Sequence, residues 1–100
     1  MIELKDITEF DNYINEDKIL VDFYADWCGP CRMLGMVLDE YHNEHPNLKI
    51  LRINTDKFQG LARKYKVLTI PSLKLFSNGK IIKEHTGIMT KDELNELLDE

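Results

Sequence analysis

The sequence predicts a three-layer α/β domain built on a mixed β-sheet. Segments rich in β-branched and aromatic residues alternate with segments whose apolar residues recur every three or four positions, which indicates alternating strands and helices. Near the C-terminus, an Asn-Gly pair separates two strand-like segments, and this is typical of a tight antiparallel hairpin. Alternating elements that end in a hairpin and a helix describe helices packed on a mixed sheet.

The first predicted elements are a short helix and a buried strand. Asp6 with Glu9 three residues later forms a capping box, and apolar residues follow at helical spacing, so we expect a helix over residues 6–15. Residues 18–24 are β-branched or aromatic for the most part, and Asp22 is the one acid among them. This composition predicts a strand that is buried on both faces.

The middle of the chain repeats this alternation. From Cys28 the apolar residues are spaced by three or four until Pro46, which stops a helix because it lacks a backbone N–H. Residues 48–54 then read as a second strand and residues 59–65 as a short helix.

The C-terminal part contains the hairpin and a last helix. We expect strands over residues 72–77 and 81–86, joined by Asn78-Gly79. Thr90 with Glu93 gives a second capping box that opens the final helix. The apolar face of this helix consists of Leu94, Leu97 and Leu98.

Composition limits the classes of function. One hundred residues, 43% hydrophobic and 31% charged, are enough for one domain, residues 1–100, and too few for two. The net charge of -5 argues against nucleic acid or a membrane surface as a partner, since both attract basic proteins. The N-terminus lacks the pattern of a secretory signal, and no apolar run reaches membrane-spanning length. We therefore expect a cytoplasmic monomer.

Residues 25–33, ADWCGPCRM, hold the one tryptophan and both cysteines of the chain. They follow a predicted strand and begin the long helix, where free backbone N–H groups favour a thiolate. Cys28 and Cys31 are three residues apart, a spacing that lets them open and close a disulfide within one helical turn. Cys28 is nearer the helix end and is expected to be the more exposed, so we predict that it is the nucleophile and that Cys31 resolves. Pro30 stiffens the first turn.

A zinc site is the alternative for the cysteines, with His42 and His45 as further ligands. Cys31 and His42 are eleven residues apart, about 16 Å along one helix, which is too far for a shared ion. We therefore predict no metal site and expect these two histidines, like His85, to be solvated surface residues. Two methionines in the long helix are expected to pack in its core, Met33 and Met36.

The motif WCGPC after VDFYAD, with Ile70-Pro71 ahead of a strand, resembles the thioredoxin family. The resemblance extends over nearly the whole chain and implies a central sheet of four to five strands flanked by four helices, with a cis Ile70-Pro71 bond facing the cysteines. The chain departs from the family pattern at three positions. Met36 after Gly35 replaces a helix-kinking proline, Tyr24 replaces a tryptophan, and Arg52 replaces a lysine.

The resemblance implies a dithiol-disulfide oxidoreductase that reduces disulfides in client proteins. Gly29 and Pro30 between the cysteines are typical of the reducing branch of the family. The expected docking surface for an extended client segment around Cys28 consists of Trp27, Pro30, Ile70, Pro71, Gly87 and Ile88. No bound cofactor is implied, because the cysteine pair carries the electrons, and a thioredoxin-reductase-type enzyme must recharge it.

Asp22 is predicted to be a buried proton carrier. A buried carboxyl without a tight cation partner is costly to ionise, and burial raises its pKa. Such a group can deprotonate Cys31 for the resolving attack. The alternative is a structural carboxylate paired with Lys18 or Arg52.

Two other functions remain open from the sequence. The chain could be a thioredoxin-like binding module without catalysis, although both cysteines and Asp22 argue against this. It could also be a glutaredoxin-like enzyme that uses glutathione, although the order Trp-Cys-Gly-Pro-Cys is the thioredoxin form.

Overall fold

The computed structural model describes residues 1–98, so the last two residues of the predicted domain lie outside it. Within that range the chain forms five strands and four α-helices. In chain order these are β1 (Ile2–Glu3), α1 (Phe10–Ile14), β2 (Ile19–Tyr24), α2 (Gly29–Glu44), β3 (Lys49–Asn54), α3 (Gln59–Lys64), β4 (Ser72–Ser77), β5 (Lys80–Thr86) and α4 (Lys91–Leu98).

The strands form one mixed sheet in the order β1-β3-β2-β4-β5. The strands β1, β3 and β2 are parallel, whereas β4 and β5 are antiparallel to their neighbours. The predicted α/β class and mixed sheet are therefore confirmed. The two-residue strand β1 was not predicted, because it is too short to show any periodicity.

Two apolar clusters, one on each face of the sheet, make the three layers. On one face, Phe10 and Ile14 of α1 and Leu61 of α3 pack against odd-numbered residues of β2. On the other face, α2 and α4 pack against Leu20 of β2 and Ile50 of β3. Because side chains alternate along a strand, Asp22 lies on the same face as Leu20, beneath α2.

The helix ends match the sequence in part. The capping box of α4 is reciprocal, since Glu93 N–H donates to Thr90 Oγ1 at 3.1 Å and Thr90 N–H donates to Glu93 Oε1 at 2.9 Å. The helix expected over residues 6–15 begins instead with a 3₁₀ turn, Ile7–Glu9. Asp6 caps this tighter turn, and its Oδ1 accepts a hydrogen bond from the N–H of Thr8 at 2.9 Å.

The end of α3 contains an unusual backbone conformation. Lys66 has a φ of +55°, in the left-handed region that disfavours any residue with a Cβ. Its N–H donates to Arg63 O at 3.1 Å, and the N–H of Val67 donates to Ala62 O at 2.8 Å. These two bonds make a Schellman motif, which turns the chain away from the helix.

Replacing Lys66 with glycine should therefore stabilise the protein. We expect Lys66→Gly to raise the free energy of unfolding by about 1 kcal/mol, because glycine adopts positive φ without steric cost. Denaturant unfolding measures this change. The matched control is Arg63→Gly inside α3, which should lower stability by about 1 kcal/mol; a Lys66→Gly protein that is destabilised like the control would contradict the prediction.

Candidate functional site

Cys28 lies at the junction of β2 and α2. It has an extended backbone, with φ of −88° and ψ of 110°, and it is the N-cap residue of α2. Its Sγ accepts a hydrogen bond from the N–H of Cys31 at 3.2 Å. Pro30 follows in the first turn, where its missing N–H leaves no helical bond unmade. The sequence therefore places the Cys28 sulfur against a free N–H at a helix end, a position that favours a thiolate when the cysteine is reduced.

Cys28 and Cys31 form a disulfide, with their Cα atoms 5.2 Å apart. Both residues are buried, at 5% and 1% relative exposure respectively. Cys28 keeps the larger exposed fraction, as expected, but it is far less open than its position at a helix end suggests. The reason is packing, since Ala25, Tyr24 and Ile70 form an apolar cluster around the two cysteines.

The segment before β4 faces Cys28. The Ile70-Pro71 peptide bond is cis, as the resemblance implies, and the carbonyl oxygen of Ile70 lies 3.9 Å from Cys28 Sγ. Pro71 is buried, and its carbonyl accepts the N–H of Gly87 at 2.8 Å. Gly87 has a φ of +97°, so the end of β5 needs a glycine to close against this loop.

Three exposed apolar side chains lie in the loops that precede α2, β4 and α4. Trp27 is 69% exposed, and its Nε1 donates to Asp56 Oδ2 at 3.0 Å, which fixes the indole at the surface. Ile88 is also exposed, and Leu68 is 95% exposed. The sequence prediction missed Leu68 and Asp56. Leu68 could have been identified as a surface residue near the site from the sequence, because it lies two residues before Ile70 in a segment too short to be a helix or a strand.

Asp22 is fully buried and is paired with Arg52, whose Nε donates to Asp22 Oδ2 at 3.1 Å. The expectation of a carboxyl without a tight cation partner is therefore wrong, because the register of β2 and β3 places Arg52 directly beside it. Its other oxygen, Oδ1, has no hydrogen-bond partner among residues 1–98. Burial raises the pKa of Asp22 to about 6, although the positive charge of Arg52 opposes this change.

Arg52 is held by more than the carboxylate. Its guanidinium lies 3.9 Å from the centre of the Tyr24 ring, and the Tyr24 hydroxyl donates to Glu3 Oε2 at 2.6 Å. A cleft of about 470 Å³ opens beside these residues, and its lining includes Arg52, Tyr24, Gly35 and Met36.

Two methionines of α2 lie outside the core, contrary to expectation. Met33 is 56% and Met36 is 70% exposed. The buried face of α2 consists of Cys31, Leu34, Leu38 and Tyr41. The apolar residues of α2 span a wider arc of the helix surface than the sheet covers. Met33 and Met36 lie outside the covered arc and therefore remain in solvent.

The structure keeps the cysteines and histidines of α2 apart. Cys28 and Cys31 lie at its first turn, whereas His42 lies in its last turn and His45 is its C-cap residue, stacked on Tyr41. His85 Nε2 lies 3.2 Å from Ile88 O. In the described part of the chain, no group of three or more potential ligand side chains could hold a metal ion. Across residues 1–98, no helix has both the length and the apolar character to cross a membrane.

Comparisons with known proteins agree with this geometry. The family model described as Thioredoxin matches residues 2–100. The chain is 37% identical over 99 residues to a thioredoxin of Chlamydia pneumoniae, which covers 99% of this chain and 97% of that protein.

Solved structures show the same fold. A mutant thioredoxin from Halobacterium salinarum NRC-1 superposes with a TM-score of 0.86 at 36% identity, covering 98% of this chain and 87% of that one. The oxidised mitochondrial thioredoxin 3 of Saccharomyces cerevisiae gives a TM-score of 0.87 at 29% identity, covering 100% and 95%. With a disulfide at the start of α2 and relatives of this kind, the chain belongs to the Thioredoxin family and is a thiol-disulfide oxidoreductase.

Proposed function

We propose that Cys28 is the nucleophile with which this protein-disulfide reductase attacks the disulfides of client proteins. The observation that supports this is the N-cap position of Cys28, whose sulfur accepts the Cys31 N–H at 3.2 Å. In the reduced protein the same bond stabilises a thiolate on Cys28. Cys31 lies three residues further along, within the same first turn of the helix, and is almost fully buried, which suits a resolving thiol that reacts only with Cys28.

The proposed reaction transfers two electrons in two exchanges. The Cys28 thiolate attacks one sulfur of the client disulfide, forming a mixed disulfide and releasing the other sulfur as a thiolate. Cys31 then loses its proton and attacks Cys28 Sγ, which forms the Cys28–Cys31 disulfide and releases the second client sulfur. The client disulfide is reduced to two thiols, and the dithiol of the protein is oxidised.

A thioredoxin-reductase-type enzyme would return the two electrons. In this role the protein would take part in electron transport and in the redox homeostasis of the cytoplasm, where thiols are kept reduced. The proposed reaction needs no bound cofactor, because the electrons are carried by the cysteine pair. Such a carrier can act as a monomer of one domain, with client proteins and the reductase as its partners.

Asp22 is the proposed acceptor of the Cys31 proton. It lies on the face of β2 that α2 covers, and burial keeps its pKa near 6, close to the pH at which a general base is efficient. Gly29 and Pro30 contribute by holding the first turn in which the two sulfurs meet.

The proposed docking surface for clients is apolar. It consists of the expected residues Trp27, Pro30, Ile70, Pro71, Gly87 and Ile88, to which we add Leu68. Pro71 is buried, so its contribution is to hold Ile70 beside Cys28. An apolar surface around a reactive sulfur favours extended client segments with apolar residues near their disulfide.

The roles of the two cysteines can be separated by substitution. Cys28→Ser should abolish reduction of insulin disulfides in the presence of dithiothreitol, because the nucleophile is missing. Cys31→Ser should still attack and then accumulate covalent complexes with clients, which non-reducing gels detect. Trapped complexes with Cys28→Ser instead would reverse the assignment, and activity that requires glutathione would favour the glutaredoxin-like alternative.

Asp22→Asn should change how stability depends on pH. The pKa of Asp22 is raised from 3.8 to about 6, so the folded state binds the proton more tightly than the unfolded state. This stabilisation is complete below the unfolded pKa and is lost as the pH rises through about 6. We compare the free energy of unfolding of Asp22→Asn with that of the parent at each pH. This difference should shift by about 2–3 kcal/mol in favour of Asp22→Asn when the pH rises from 4 to 8.

Denaturant unfolding of both proteins at the two pH values measures this gain. Decay of the mixed disulfide should also be slower in Asp22→Asn, since Cys31 loses its base. The account of Asp22 fails if the stability difference is the same at pH 4 and pH 8. Unchanged decay would reject only the role as proton carrier.

Leu68→Ser tests the apolar docking surface. It should lower kcat/KM for a protein disulfide with apolar neighbours about fivefold, because one apolar contact of about 1 kcal/mol is lost. The rate of reduction of a small aromatic disulfide should hardly change, since such a substrate reaches Cys28 without contacting the loop that carries Leu68. The control is Ile82→Ser on β5, which removes another exposed apolar side chain; equal losses for both variants would argue against a specific role of Leu68.

A further inference from the structure

Four polar side chains form a row on one face of the sheet, beneath α2. The strand register pairs Glu3 with Arg52 and Asp22 with Arg52. Tyr24 follows Asp22 by two residues and so points to the same face. Three adjacent strands therefore bring one arginine between two carboxylates, with an aromatic ring at its side.

The contacts in this row fix the guanidinium on two sides. Its Nε binds Asp22 Oδ2 at 3.1 Å, and its centre lies 3.9 Å from the centre of the Tyr24 ring. The ring is itself tied to β1, because the Tyr24 hydroxyl donates to Glu3 Oε2 at 2.6 Å. A Cβ added at Gly35 would come within 3.5 Å of Arg52 Nη2, so α2 closes over the guanidinium from above.

We propose that Tyr24 is a positioning residue, whose ring, tied to Glu3, holds Arg52 against Asp22 and so controls proton exchange by Asp22. An arginine side chain that is about one-fifth exposed could otherwise extend into the adjoining cleft, where its charge would be hydrated. The face of an aromatic ring attracts a guanidinium, and this attraction keeps it beside the carboxylate.

The titration of Asp22 follows from this arrangement. Burial raises the pKa of Asp22, the charge of Arg52 lowers it, and the charge of Glu3 raises it slightly. The charged residues of α2 and its preceding loop that line the adjoining cleft are Asp26, Arg32 and Asp39. Burial and the bond to Glu3 raise the pKa of the Tyr24 hydroxyl, so it stays protonated and continues to donate at neutral pH. The held arginine is therefore the principal influence that opposes burial at Asp22.

Loss of the ring should release Arg52 and raise the pKa of Asp22. We expect an upward shift of about one pH unit in Tyr24→Leu, since an opposite charge at this distance lowers a carboxyl pKa by about 1–3 units. Tyr24→Phe keeps the ring and loses only the tie to Glu3, so its shift should be smaller and in the same direction. Carbon-13 NMR titration of the Asp22 carboxyl in the oxidised protein measures both shifts. Tyr13→Phe, on the opposite face of the sheet, is the control.

A double substitution separates positioning from a simple change in burial. In an Arg52→Gln background, Tyr24→Leu should leave the pKa of Asp22 unchanged, because the ring acts through Arg52. The proposal is overturned if Tyr24→Leu gives no shift in the parent, or the same shift in both backgrounds. Should Tyr24→Leu not fold, Tyr24→Phe in the two backgrounds makes the same comparison.

The consequence for catalysis rests on the proposed role of Asp22 as proton carrier, and a second measurement keeps the two claims apart. In Tyr24→Leu, the pH profile of mixed-disulfide decay should shift to higher pH by the same amount as the NMR titration of Asp22. If the titration moves and the decay profile does not, the positioning role of Tyr24 stands and the proton-carrier role of Asp22 is rejected.

Discussion

Cys28 lies between the end of β2 and the start of α2, and this position determines the geometry of the whole site. The residue follows the carboxyl end of the buried strand β2, and its sulfur accepts an N–H from the first turn of α2 at 3.2 Å. Because Cys31 lies on that same turn, the pair exchanges between dithiol and disulfide within one local segment. The surrounding sheet supplies rigidity, so the redox chemistry needs no rearrangement of the core.

The same strand carries the proposed proton acceptor. Asp22 lies within β2, and its burial and the register of β3 act on it in opposite directions. Burial favours the neutral carboxyl, whereas Arg52 favours the carboxylate. Burial outweighs the opposing charge of Arg52, and the resulting pKa of about 6 lets Asp22 change its charge close to neutral pH.

Much of this could be predicted from the sequence, because local patterns determine it. The strand over residues 72–77 and the reciprocal capping box at Thr90 follow from alternation and cap chemistry. The disulfide follows from spacing on one helical turn. The partner of Asp22 could not be chosen in this way, because the register between two strands separated by a long helix selects Arg52.

The solvent exposure of individual apolar side chains could not be predicted from the sequence either. The spacing of Met33 and Met36 fits a helix, but the pattern cannot show how wide an arc the sheet covers. Leu68 is exposed because the Schellman turn at Lys66 directs Val67 towards the core and releases the following residue outward. Such positions depend on the path of a loop, which carries no periodic signal.

We expect the N-terminal end of α2 to make Cys28 the more reactive thiol of the pair. Iodoacetamide labelling of the fully reduced protein, followed over time by peptide mass spectrometry, tests it most directly. Cys28 should be alkylated well before Cys31 at neutral pH. Alkylation of Cys31 first, or of both thiols at one rate, would contradict the account.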